Sequence, residues 1–449
     1  MSKKRLGRLV IVLFLLAALP GMTAVLAQGQ EPAGKAPLPA TTELSESVTP
    51  LEANLNESEP NNNTGAADLM ALQDVMAGAI SAVGDVDYFK FQVEDVGGPT
   101  FPAGAQEVLI NLDAQSIGSP LDTVVTLLCG TGNSHCGSGN VIGSNDDTDT
   151  LDSLYYYKLL PGWYYVKVED FGNNNGGANF IYNLIVSRMI LVSAHPAGLG
   201  TKTIQGISFQ AGDILAHTRA GAGPVDRWVM FLDISDLGTT KNIDKVATMG
   251  NSADILIGFS VNVTLPGTTI VAKPQDIIRF TPGKYGGNTQ GSMTRYLIGA
   301  NNGLTTAGEK LDAIGDWTSG QDGGMDCAGY PVSTVGAATV NKLGGGTLKA
   351  ADEDIFCKQE PVGIFRMFYD GSGVSGLAAE DVIAFDYNDH LNRGYFVILG
   401  TGNLGGIAVN QKQILAIIPG VPPYMGWISW DGPLYGWNWN LDAIDVSGY

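Results

Sequence analysis

Short runs of alternating apolar and polar residues, separated by clusters of Gly, Asn and Asp, cover most of this chain. Tyr88-Phe89-Lys90-Phe91-Gln92-Val93 and Tyr164-Tyr165-Val166-Lys167-Val168 are two such runs. A period of two puts every second side chain on one face, the pattern of a strand with a buried side. Gly supplies 60 of the 449 residues and charged residues only 16%, a balance that suits short strands and tight turns. The pattern predicts an all-β chain, and its length leaves room for two or three domains.

After residue 188 the strand pattern repeats. One element reads Gly212-Asp213-Ile214-Leu215, Gln275-Asp276-Ile277-Ile278, Glu353-Asp354-Ile355-Phe356 and Lys412-Gln413-Ile414-Leu415. A second reads Phe231-Leu232-Asp233-Ile234, Leu297-Ile298-Gly299, Phe368-Tyr369-Asp370-Gly371 and Ser429-Trp430-Asp431-Gly432. A third carries Asp244, Asp312, Asp381 and Asp442, at intervals of 68, 69 and 61 residues. A further strand follows the third element in each copy but the last. Its counterpart for the last copy is Met189-Ile190-Leu191-Val192-Ser193, at the other end of the region. Such an offset is what a closed ring of four-stranded blades needs, and closure removes exposed edges. Residues 188–449 are therefore expected to form a four-repeat β-propeller-like domain. About 65 residues per copy exceeds the usual blade of roughly 40–50, so long loops must absorb the excess. A sandwich or β-solenoid built from the same hairpins is the alternative.

The N-terminus changes the compartment. Lys3, Lys4, Arg5 and Arg8 precede an apolar run from Leu9 to Leu19, and Ala24-Val25-Leu26-Ala27 precedes Gln28. Residues 1–27 read as a secretory signal peptide, the alternative being an uncleaved anchor helix. Residues 28–56, rich in Ala, Pro, Thr, Ser and Glu, read as a flexible linker. No later segment is apolar enough to span a bilayer, so the product is expected to be secreted or held at the cell surface. Loss of the four cations takes the formal net charge from −20 to −24. That acidity disfavours nucleic acid and anionic membranes and favours divalent cations. An exported chain meets oxidising conditions, and Cys129–Cys136 and Cys327–Cys357 are the pairings that stay inside one domain each. Neither pair has zinc spacing.

Five pieces in order mark residues 57–187: Glu57-Ser58-Glu59-Pro60-Asn61-Asn62-Asn63, Gly84-Asp85-Val86-Asp87-Tyr88-Phe89, Ser144-Asn145-Asp146-Asp147, Leu160-Pro161-Gly162-Trp163-Tyr164 and Tyr182-Asn183-Leu184-Ile185-Val186. The set resembles the bacterial pre-peptidase C-terminal (PPC) domain, a relative of the collagen-binding domain of clostridial collagenases. The resemblance implies a β-sandwich that binds surfaces or aids export and is not itself catalytic. It also implies calcium, with Glu57, Glu59, Asn61 and Asn62 as ligands, joined by Asp85 and Asp87. The wider spacing of the second group in those relatives departs from Asp-Val-Asp here. The competing reading of these residues is a capped turn, in which Asn and Asp bond their own backbone. Asn145-Asp146-Asp147-Thr148-Asp149 is a second acidic loop, without the Gly and Glu of an EF-hand.

No catalytic residues stand out. The four His residues are scattered, and neither an H-E-x-x-H helix nor a G-x-S-x-G elbow occurs. Near the C-terminus, Trp430 aligns with core positions of the other repeats, while Trp437 and Trp439 fall in a loop-like stretch and are candidates for stacking on a ligand. The expected product is a secreted, calcium-stabilised, non-catalytic binding protein for an extracellular glycan or protein surface. A divergent secreted hydrolase of glycosidase type and a structural envelope component are the other classes. The oligomeric state is not readable from the sequence.

Overall fold

The computed structural model describes residues 53–446, apart from 95–104, 147–150, 197–199, 220–225, 317, 320–327, 343–344, 360–363, 374–376, 379, 389–392, 405 and 418–425. The expected signal peptide and most of the expected linker lie outside the described residues. The described residues are all-β, with only short 3-10 turns as helix. None of their helices is long and apolar enough to cross a membrane.

Two five-stranded sheets come first. One runs Leu55–Asn56, Val75–Ala79, Ile181–Ser187, Gln106–Asp113, Leu154–Leu159; the other runs Asp68–Leu69, Val86–Val93, Gly162–Asp170, Thr123–Cys129, Val141–Asn145. Leu55 pairs with Met76, so the first sheet starts two residues before Glu57, inside the stretch read as linker. The alternation of Val86–Val93 buries Phe89, Phe91 and Val93, which meet Val108, Ile110 and Leu112 of the facing sheet in one core. Gln106–Asp113 is different, because all eight of its residues are buried. Its second face, with Glu107 and Leu109, is covered by the rest of the chain.

Four antiparallel sheets follow, each built on four main strands, with the short Thr318–Ser319 added to Ala328–Thr334 in one of them. Three are contiguous: Ile243–Thr248, Ile255–Phe259, Ile277–Lys284, Gln290–Leu297; Leu311–Ile314, Ala328–Thr334, Ile355–Gln359, Ile364–Tyr369; and Val382–Asn388, Arg393–Ile398, Gln413–Ile417, Gly426–Asp431. The remaining sheet takes Met189–Ala194, Ile214–Arg219 and Asp226–Leu232 from the start of the region and Leu441–Val446 from its end. Ile190 pairs with Val446 and Val192 with Ile444, which is the pairing across the region that the offset of the repeats predicts. The lead strands Ile243–Thr248, Leu311–Ile314, Val382–Asn388 and Leu441–Val446 each pack beside at least two of the others. Among the described residues no sheet closes on itself.

Among the described residues, part of the excess length of each repeat resides in an added hairpin. A two-stranded hairpin sits between the second and third strands of every copy: Lys202–Ile204 with Ile207–Phe209, Val263–Thr264 with Val271–Ala272, Ala338–Asn341 with Thr347–Ala350, and Thr401–Leu404 with Ile407–Asn410. The repeated acid of the first element has a structural task. Asp213 accepts from Gln210 N (2.7 Å) and Ile234 N (3.1 Å). Asp276 and Asp354 do the same, from Lys273 N and Gly299 N, and from Ala351 N and Gly371 N. Each carboxylate ties a strand entry to the start of a 3-10 turn, whose first amides have no internal acceptor.

The two regions share a core. Only Arg188 separates Ile181–Ser187 from Met189–Ala194. Leu109, Leu154 and Tyr156 of the sandwich pack with Phe231, Tyr285 and Ile257 of the repeats. The Tyr156 ring meets Phe231 at 5.3 Å and Tyr285 at 5.7 Å, both edge-on. Lys158 N donates to Ser252 O (3.0 Å), and Arg227 forms an ion pair with Asp113.

Candidate metal centre

Three carboxylates converge at the open end of the sandwich. Glu57 directly follows the strand Leu55–Asn56, Glu59 lies two residues on, and Asp87 sits in Val86–Val93. Each has an oxygen within 4.8 Å of the others. Glu57 is half-buried, Glu59 exposed and Asp87 fully buried. Tyr182, on Ile181–Ser187 of the first sheet, reaches the cluster with its hydroxyl, which donates to Asp87 Oδ2 (2.6 Å) and Glu57 Oε2 (3.3 Å). A Cβ on Gly78 would stand 2.4 Å from the Tyr182 ring and 2.8 Å from Glu57 Oε2, so a residue without a side chain is needed for this approach.

Donors are too few for the acceptors present. Ala79 N donates to Glu57 Oε1 (2.6 Å) and Asn61 N to Glu59 Oε2 (3.0 Å). Asn61 is buried, and its Nδ2 donates to Glu57 Oε2 (3.4 Å) and Asp68 Oδ2 (3.3 Å). That leaves Asn61 Oδ1 and Asp87 Oδ1 buried with no partner. Among the described residues no basic side chain forms an ion pair with Glu57, Glu59 or Asp87. Burial, reinforced by the neighbouring acids, pushes the Asp87 carboxyl up to about 8. Burial is also the main cause that takes Glu57 up to about 7. An arrangement of this kind either holds protons or neutralises its charge with a cation. Clustered carboxylate and amide oxygens are the donor set of a hard divalent cation such as calcium.

The six expected ligands separate into two groups. Glu57, Glu59, Asn61 and Asp87 come together. Asp85 and Asn62 pair instead with each other, Asn62 Nδ2 donating to Asp85 Oδ1 at 2.6 Å. Asp85 also accepts from Ser81 N (2.7 Å), Ser81 Oγ (2.7 Å) and Val86 N (3.1 Å). Its oxygens are satisfied, so it closes the turn, as the capped-turn reading describes. Two members were not anticipated: Asp68, and Tyr182, which lies 95 residues beyond Asp87 and carries no local signal.

Trp437 departs from its expected place at a ligand face. It is fully buried and stacks on Phe209 (5.4 Å) and Trp228 (5.2 Å), which leaves no ring face for a ligand. Trp439 is half-buried and touches Phe209 and Trp437 edge-on. Cys129 and Cys136 form a disulfide with Cα atoms 6.0 Å apart. Cys327, expected to pair with Cys357, lies outside the described residues, as do Asp147, Thr148 and Asp149 of the second acidic loop.

No protein-family model and no curated protein matches the chain. Among solved structures it is similar to the pre-peptidase C-terminal domain of a collagenase from Bacillus anthracis. The two are 17% identical over 27% of this chain and 94% of that domain, with a TM-score of 0.20. The likeness concerns one segment of the chain.

Proposed function

We propose that this chain is a secreted or cell-surface, non-catalytic binding protein whose sandwich is stabilised by calcium. In this reading the four repeat sheets form a four-bladed β-propeller that presents a face to an extracellular glycan or protein. The observation that carries the calcium reading is the buried Asp87 Oδ1, without a donor, in a cluster with Glu57 and Glu59. Leaving such an oxygen unpaired is expensive, and a cation at that position removes the penalty. Support for the propeller comes from the four lead strands packing in cyclic succession and from the sheet assembled from both ends of the region. Export rests on the segment 1–27 and on the acidic balance of the chain.

The test melts the full chain in millimolar calcium and in chelator, for the unsubstituted protein and for Asp87→Asn. Calcium is expected to raise the melting temperature of the first and not of the second. Equal melting temperatures with and without calcium would remove the calcium reading. A glycan and matrix-protein array, run in both conditions with Trp439→Ala as a control, tests binding. Hydrolysis of array sugars would favour the glycosidase class.

A further inference from the structure

A second acidic cluster lies where the sandwich meets the repeats. Glu107 comes from the sandwich strand Gln106–Asp113, Asp316 follows the lead strand Leu311–Ile314, and Asp445 stands on the last strand, Leu441–Val446. Each has an oxygen within 4.8 Å of the others. We propose that Glu107, Asp316 and Asp445 form a second divalent-cation site, which takes one calcium ion between the sandwich and the repeat sheets.

Unpartnered oxygens, rather than the number of acids, carry this assignment. Asp445 is 1% exposed, and neither of its carboxylate oxygens has a partner. Glu107 is equally buried, and its Oε2 has none. The donors nearby are already engaged. Lys158 Nζ is 3.0 Å from Glu107 Oε1 and also pairs with Asp316. Thr248 N donates to Asp316 Oδ1 (2.9 Å), and the Thr248 hydroxyl bonds both acids.

The ligand set favours a divalent ion. Glu107, Asp316 and Asp445 are three carboxylates facing the single ammonium of Lys158. A fourth acid, Asp386, is engaged by backbone amides. Its oxygens accept from Asp316 N (3.2 Å), Tyr387 N (2.7 Å) and Val446 N (2.8 Å). An enclosed site whose ligands are protein oxygens suits calcium better than magnesium, which gives up its water reluctantly. The three ligands come from separate parts of the chain, so the site is complete only when the sandwich is docked and the last strand is in place. The ion would therefore clamp both contacts.

Calcium bound per chain, counted by equilibrium dialysis of the full-length protein, tests the assignment apart from the sandwich site. The unsubstituted chain is expected to bind two equivalents, Asp87→Asn and Asp445→Asn one each, and the double variant none. A count unchanged by Asp445→Asn overturns the proposal, whatever Asp87→Asn does. If Asp87→Asn alone leaves the count unchanged, the sandwich reading fails and this one stands. Melting curves separate a ligand from an ordinary buried acid. In chelator Asp445→Asn should melt no lower than the parent, since it removes a buried ionisable group. In calcium it should lose part of the parent's gain. An equal gain in both proteins would also overturn the site.

Discussion

The sandwich and the repeat region are both rich in carboxylates, and within each region the acids divide into the same two kinds. In the sandwich, Asp85 accepts from Ser81, Val86 and Asn62, while Asp87, two residues along, has a buried oxygen with no donor. In the repeats, Asp213, Asp276 and Asp354 each accept two backbone amides, while Asp445 accepts nothing. The difference lies in where the unpartnered acids sit. Those of the sandwich gather at an edge reached by solvent, within one region. Those of the repeats lie at the junction and need the sandwich to complete them. Counting donors, not acids, separates a turn from a candidate ligand.

The junction gives the largest expected effect. Tyr156→Ala removes a buried ring that touches Phe231 and Tyr285, and a truncation of this kind costs about 3–5 kcal/mol. Tyr156→Phe should be neutral or slightly stabilising, because the hydroxyl is buried without a partner. Urea melts of the full chain in calcium are expected to show one transition for both variants, at lower denaturant for Tyr156→Ala. Two transitions would mean that the regions fold separately and that the shared core does not couple them.

Calcium sharpens the comparison between neighbouring acids. A ligand at a hundred times its dissociation constant stabilises the folded state by about 2.7 kcal/mol. Asp87→Asn should abolish the sandwich share of that gain. Asp85→Asn should lower stability equally in calcium and in chelator, since it disturbs turn bonds. If the two variants respond alike, the division drawn here between turn acid and ligand acid is wrong.

Much of this was legible in the sequence. Period-two runs place the sandwich strands, and the order of the repeated elements anticipates the pairing of Met189–Ala194 with Leu441–Val446. The acidic motif from Glu57 to Asp87 finds the edge cluster. What the sequence does not carry is the distribution of donors. Nothing in Asp-Val-Asp tells which acid the Ser81 amide will satisfy. Tyr182 supplies a hydroxyl from a distant strand, and the junction cluster depends on how Glu107, Asp316 and Asp445 are brought together. The burial of Trp437 is hidden for a related reason: its stretch has the composition of a loop, and the covering ring comes from Phe209, at the end of a hairpin far away in the sequence.

The far end of the lead strands should respond to pH. Burial pushes Asp442 up to about 7 and Asp381 up to about 6, from 3.8 in an unstructured chain. The folded state thus holds protons that the unfolded state has released. Their contribution to stability is complete below about 4 and is lost as pH rises through the folded values. His195, 3.9 Å from Asp442, works the other way, because burial lowers its proton affinity. Between pH 6.5 and 8 the acids dominate, so melting temperature in chelator should fall as pH rises. Glu57 and Asp87 add to that slope in the absence of an ion, so Asp442→Asn should reduce it by its own share, and an unchanged slope would show that Asp442 does not titrate there.

The smallest expected effect lies between two copies of the same repeat position. Asp233 starts the 3-10 turn Ile234–Leu237 and accepts from Ser235 N at 2.9 Å. Asp431 precedes the corresponding turn Gly432–Tyr435, yet its side chain accepts no capping bond. A side-chain cap stabilises by about 1 kcal/mol, so Asp233→Ala should lose that much. Asp431→Ala should be nearly silent, even though the two acids occupy equivalent places in the sequence pattern. Paired urea melts decide it. Equal losses would mean that the motif acts through its charge near the turn rather than through the bond, and that the donor count fails as a guide at exposed positions.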